Sequence, residues 1–145
     1  MATAPAGLGL VGKHIGRGWV RGFTITGGAI ASTIGHDSHN VCVVGDSAAD
    51  MMAAVEAVGQ GGHVLVRNGK VVARIPLALG GLMSEGAAED VAAQHDDFRS
   101  RRAPWVLSRR STPIMGIIFL PLPVIPTLRI RPEGMFDVTT FTYAD

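Results

Sequence analysis

The dipeptide Asn68-Gly69 stands between two runs of strand composition, His63-Val64-Leu65-Val66-Arg67 and Lys70-Val71-Val72-Ala73-Arg74-Ile75. An Asn-Gly pair tolerates positive φ at both central positions of a two-residue type I′ turn, whose twist matches the strands it joins. The sequence therefore predicts an antiparallel hairpin over 63–75. Such a hairpin is not stable alone in water, so the chain must add strands and a covering layer.

Both are present. Val41-Cys42-Val43-Val44 is a continuous apolar run of strand length, the pattern of a strand covered on both faces. Phe23-Thr24-Ile25-Thr26 reads as a strand, Gly27-Gly28 as a turn and 29–34 as a second short apolar element. Residues 114–120 read as a buried strand and 137–143 as a closing edge strand. After Gly45, Asp46 and Ser47 are N-cap candidates for a helix whose Ala48, Met51, Met52, Val55 and Val58 recur at helical spacing until Gly59. Met51 and Met52 are read as core filling. Ser84 is placed to cap a second helix, with Glu85, Glu89 and Asp90 in its first turns and Val91, Ala92, His95 and Phe98 on its buried face.

The expectation is an α/β single domain with many tight turns. Its mixed β-sheet, from strands near 20–26, 41–44, 63–67, 70–75 and 115–120, is covered by two main helices, 46–59 and 85–99. The 19 glycines and 8 prolines among 145 residues argue against a long helical bundle. Residues 1–12, rich in Ala, Gly and Pro, read as a flexible leader, with the domain over 13–145.

A formal charge of +1 creates no global field, so no nucleic acid and no membrane surface is implied by net charge. Cys42 is the single cysteine, which excludes an internal disulfide and fits a cytoplasmic setting; within its apolar run it reads as an inert core thiol. The apolar segment 114–125 is broken by Pro121 and Pro123 and is shorter than the ~20 residues of a membrane span. Lys13, His14, Arg17 and Arg21 could hold an anion, contact a neighbouring domain or simply charge a strand edge. Arg99, Arg101, Arg102, Arg109 and Arg110 surround Trp105, which suits either nucleic-acid stacking or a solvated loop.

The residues that turn formation does not explain lie in His36-Asp37-Ser38-His39-Asn40, between two strand-like runs. Asp37 and Asn40 are ordinary turn formers, so a purely structural turn stays open beside a site. His36 and His39 could each donate, accept or exchange a proton near neutrality. Neighbours in sequence cannot align as a Ser38, His36 and Asp37 hydrolase triad. One cysteine excludes a cytidine-type zinc deaminase, and a metal on His36 and His39 would need a distant third ligand such as His14 or His63.

The words Gly22-Phe23, Gly28-Ala29-Ile30-Ala31-Ser32-Thr33, His36-Asp37-Ser38-His39-Asn40, Gly81-Leu82-Met83-Ser84 and Leu122-Pro123-Val124-Ile125-Pro126 occur in the order seen in the C-terminal domain of bacterial and archaeal adenine deaminases, which the chain resembles over most of its length. The chain departs from that pattern at Thr24-Ile25-Thr26, at Gly35, where alanine is usual, and over 95–112. The resemblance implies an amidohydrolase whose barrel, absent here, converts adenine and water to hypoxanthine and ammonia. It implies manganese or iron in the complete enzyme, held by barrel residues, and no cofactor or metal in this chain. His36, Asp37, Ser38 and His39 become the candidate site-lining turn, with the barrel in cis or in trans as partner and a purine as ligand. A homo-oligomer is left open. The other reading is a stand-alone module that binds a small ligand or a protein and does no catalysis.

Overall fold

A computed structural model describes residues 3–9, 14–36, 38–102, 106–108 and 113–144. The strands are β1 (Thr3–Gly9), β2 (Ile15–Arg21), β3 (Phe23–Ile25), β4 (Gly28–Ser32), β5 (Val41–Gly45), β6 (Gly62–Arg67), β7 (Lys70–Pro76), β8 (Val106–Ser108), β9 (Leu128–Arg131), β10 (Gly134–Asp137) and β11 (Thr142–Tyr143). The helices are α1 (Ala48–Val58), α2 (Ala88–Arg102) and α3 (Pro113–Ile118). The domain is α/β. Its main sheet runs β2-β1-β5-β4-β6-β7, and each of its ladders is antiparallel.

The hairpin forms as predicted: Asn68 and Gly69 have φ of 49° and 73°, and Arg67 pairs with Lys70. β4 is buried at every position. Ala29 and Ala31 join Val43, Val64 and Val66 beneath α1, while Ile30 joins Cys42, Val44, Leu65 and Ile75 with Phe98 of α2 and Ile117 of α3. Two layers of helix thus enclose one sheet. The thiol of Cys42 lies in this core, where burial pushes it up to about 12, so it stays protonated and unreactive.

Ser47 is the N-cap of α1, its hydroxyl accepting from the amide of Asp50 at 3.1 Å. The acids nearby fasten the sheet's far turns: Asp46 accepts from the amides of Gly27 and Gly28, at 2.6 and 2.9 Å, and buried Asp50 accepts from Gly69 at 2.7 Å. Hydrogen bonds to charged acceptors each contribute about 1.5–3 kcal/mol. Because one Asp46 bond is exposed and the other only part-buried, so that water can replace them, Asp46→Ala is expected to cost about 1–2 kcal/mol in total, and Ser47→Ala about 1 kcal/mol, read from urea midpoints at unchanged slope.

Several expectations need correction. The apolar run near 115–120 is helical, not a strand, because Pro113 opens a turn in which Pro113 and Ile117 face inward while Met115 is exposed. A short apolar run carries no period that separates the two. Gly116 permits this packing, since a Cβ there would lie 2.7 Å from the Phe23 ring. The expected closing strand breaks because the Asp137 carboxylate accepts from the amide of Thr139 at 2.7 Å and bends the chain between β10 and β11. Met52 is 58 % exposed, since Asp50, Ala54 and Val58 form the inward stripe of α1. The Ser84 hydroxyl accepts from Gly86, and α2 begins later, at Ala88. Thr3–Gly9, expected within a leader, pairs as β1 between β2 and β5, through main-chain groups that composition does not report.

Candidate functional site

The antiparallel register puts the end of β4, the starts of β5 and β6 and the end of β7 at one edge of the sheet: Ser32 faces Cys42 and His63, and Gly62 faces Pro76. Three of the loops singled out in the sequence converge there. Thr33 is the junction. Its hydroxyl donates to the carbonyl of Gly81 at 2.6 Å and accepts from the amide of Gly62 at 2.8 Å, while its own amide donates to the Gly62 carbonyl at 3.0 Å. Main chain lies directly on main chain here: a Cβ on Gly61 would stand 2.3 Å from the Gly81 Cα, and one on Gly62 1.9 Å from the Ile75 carbonyl oxygen.

The histidine turn leaves this edge between β4 and β5. The amide of His36 donates to the carbonyl of Ile118 at 2.8 Å, and its ring stacks on Phe119 with centroids 5.9 Å apart. That ties the turn to the 119–126 loop, which Arg129 secures by donating to the carbonyls of Ile125 and Pro126 at 2.5 and 2.8 Å. The amide of His39 donates to Gly35, closing the turn, and His39 takes a left-handed φ of 53°. Asn40 donates to the Ser38 hydroxyl at 3.2 Å. Asp37 lies outside the described residues.

Both His36 and His39 are exposed, and neither ring has a hydrogen-bond partner among the described residues. Backbone bonds hold the turn while leaving the imidazoles to solvent. Such groups are placed to donate to, or accept from, a ligand or another domain. They do not make a metal centre with their surroundings: among the described residues no three His, Cys, Asp or Glu side chains come together.

Other candidate residues are answered differently. Arg99 pairs with Asp96 at 3.0 Å and Arg101 with Asp97 at 2.7 Å along α2, and Arg102 also has a partner. Lys13, Trp105, Arg109 and Arg110 lie outside the described residues.

His63 is the residue whose situation the sequence did not announce. It is 3 % exposed, its Nδ1 has no hydrogen-bond partner among the described residues, and its ring meets those of His95 and Phe98 edge-on at 6.4 and 6.3 Å. Burial first, and then the neighbouring His95, lower its pKa to about 4, so the ring is neutral in the folded protein. The one sequence signal was its place in the predicted strand. Beyond His95 and Phe98 a cavity of about 150 Å³ opens between α2 and α3, with Arg102 and Ile114 also in its walls.

The family described as adenine deaminase C-terminal domain matches residues 10–142. The chain is 45 % identical over 141 residues to an adenine deaminase of Gluconobacter oxydans, covering 90 % of this chain and 23 % of that protein. It is 40 % identical over 144 residues to one of Nitratidesulfovibrio vulgaris, covering 94 % and 25 %, and 39 % identical over 133 residues to one of Halalkalibacterium halodurans, covering 90 % and 23 %. The chain spans about a quarter of the length of the curated relatives it matches. It belongs to the adenine deaminase C-terminal domain family.

Proposed function

We propose that this chain acts as the C-terminal part of an adenine deaminase, with a barrel supplied in cis or in trans, in the cytoplasmic deamination of adenine to hypoxanthine and ammonia for purine salvage. The observation that carries this reading is the convergence of the loops. A family match over nearly the whole chain accompanies an edge at which the 36–40 turn, the 79–84 loop and the 119–126 loop meet through Thr33, His36 and Phe119. Manganese or iron belongs in this reading to the barrel; among the described residues no three His, Cys, Asp or Glu side chains come together. The part of His36 and His39 is to hydrogen-bond the purine, or the barrel group beside it, from a turn already held in shape. A cytoplasmic protein suits the lone, buried thiol of Cys42, and among the described residues no helix is long and apolar enough to cross a membrane.

The test is a domain replacement. The Gluconobacter oxydans enzyme, with the quarter that matches this chain exchanged for it, is expected to release ammonia from adenine at a rate within about tenfold of the parent, whereas this chain alone releases none. A folded replacement with no turnover, when the parent prepared alongside is active, counts against the reading.

A further inference from the structure

The main sheet has a half that α1 does not cover. α1 packs over β4, β5 and β6 and reaches β7, whereas β1 and β2 lie beyond it. Register decides which side chains the uncovered half presents. Val64 faces Ala31, Ala31 faces Val43, Val43 faces Gly7 and Gly7 faces Arg17, and residues directly opposite one another share a face. Arg17 is thus on the α1 side, and the alternation of β2 puts Ile15, Trp19 and Arg21 there with it. The other side of β2 is occupied: Gly18 and Gly16 lie against Ile130, Met135 and Arg131 of the β9–β10 hairpin.

Along the uncovered strip apolar and basic residues alternate, in the order Ile15, Arg17, Trp19, Arg21. Trp19 is 72 % and Ile15 62 % exposed, and Arg17 and Arg21 are exposed with no ion pair among the described residues. Scattered exposed apolar residues need no explanation, but a Trp and an Ile interleaved on one strand with two arginines that have no ion pair among the described residues have the composition of a contact surface, aromatic and Arg side chains being the types enriched at interfaces. The strip also leads to the candidate site. Ile15 faces Gly9, which faces Val41, the residue on which the histidine turn ends.

We propose that this strip is the seat of the barrel-bearing part of the enzyme, which meets Trp19 and Ile15 with an apolar patch and Arg17 and Arg21 with carboxylates. The proposal rests on the reading given under Proposed function. Two observations select this occupant. The relatives are about four times as long as the stretch they share with this chain, and that stretch is described as their C-terminal domain, so in them the remainder is joined ahead of the residues matching β1 and β2. The unpaired arginines, in turn, ask for an acidic partner. Docking here would hold the histidine turn at the rim of the contact.

The experiment uses the domain-replaced Gluconobacter oxydans enzyme with a protease site in the connection ahead of β1. After cutting, the two pieces are expected to co-elute, and to separate with about tenfold or greater weakening for Trp19→Ser and for Arg17→Glu combined with Arg21→Glu. High salt should promote separation of the unsubstituted pieces. Melting of the isolated variants, expected unchanged for exposed positions, shows that folding is intact. Co-elution undisturbed by both variants overturns the proposal even where ammonia release is normal. Pieces that stay together through this strip but release no ammonia uphold it and fail the functional reading instead. A dimer of the isolated chain that Trp19→Ser dissolves would assign the strip to a second copy and overturn the proposal.

Discussion

In the domain-replaced enzyme, His36→Gln is expected to lower kcat/KM for adenine by ~10²- to 10⁴-fold, the range that a positioned proton donor or acceptor supplies. His39→Gln should lower it less. The order follows from how the two rings are held: His36 is fixed by its amide bond to Ile118 and by its stack on Phe119, whereas the His39 ring has no such support. Positioning converts a hydrogen bond into rate only when the group waits in place. Because both rings are exposed, neither change should move the melting temperature by more than the equivalent of about 0.5–1 kcal/mol, the upper part being the lost stack. Phe119→Leu, which frees the His36 ring while leaving its chemistry intact, should fall between wild type and His36→Gln. Turnover equal to wild type in both histidine variants would return the turn to a purely structural part.

A second large effect is a loss of stability in acid that is traceable to His63. In the unfolded chain this imidazole takes up a proton as pH falls below its ordinary ~6.5. In the folded protein it resists protonation until about 4, because charging it would place a cation out of water, against the rings of Phe98 and His95 of α2. The unfolded state then binds the extra proton between those values. The contribution of His63 is thus fully present above pH 6.5 and is progressively lost as pH drops toward 4, by about 3 kcal/mol in all. Acid also titrates the carboxylates, so the measurement is a difference between wild type and His63→Leu, followed as urea midpoints from pH 7 to pH 4. The leucine variant should lose less with acid than wild type. Parallel curves would show that His63 charges freely in the native state.

What could be read in advance was local. The Asn68-Gly69 turn and the Ser47 cap are each set by residues a few positions apart, and the structure contains both, whereas of the expected α1 stripe it buries Val58 and exposes Ala48 and Met52. What could not be read depends on partners remote in the chain. The seat of the 113–118 helix depends on the Phe23 ring against Gly116, and β1 on main-chain pairing with β2 and β5. At the candidate site the residue types were visible and the geometry was not. No spacing rule announces that Thr33 joins loops some 30 and 50 positions away, or that Phe119 stacks on His36. His63 is the sharpest case, since burial and an unpartnered nitrogen are properties of its surroundings alone.

The contact of bare main chain around Gly61, Gly62 and Gly81 bears on how this family can drift. At that edge the loops are spaced by the thickness of a polypeptide backbone, and Gly61, Gly62 and Gly81 all hold positive φ. At Gly61 and Gly62 no exchange for a larger residue with a compensating trim opposite is open, because only main chain lies opposite, whereas Gly81 faces the side chain of Thr33. Elsewhere in the domain substitutions can be absorbed by repacking, as more than half of the aligned positions differing from the relatives already attest. Glycines retained at this edge would therefore record a limit of space rather than participation in chemistry, and the imidazoles of the neighbouring turn must be judged on their own reactivity.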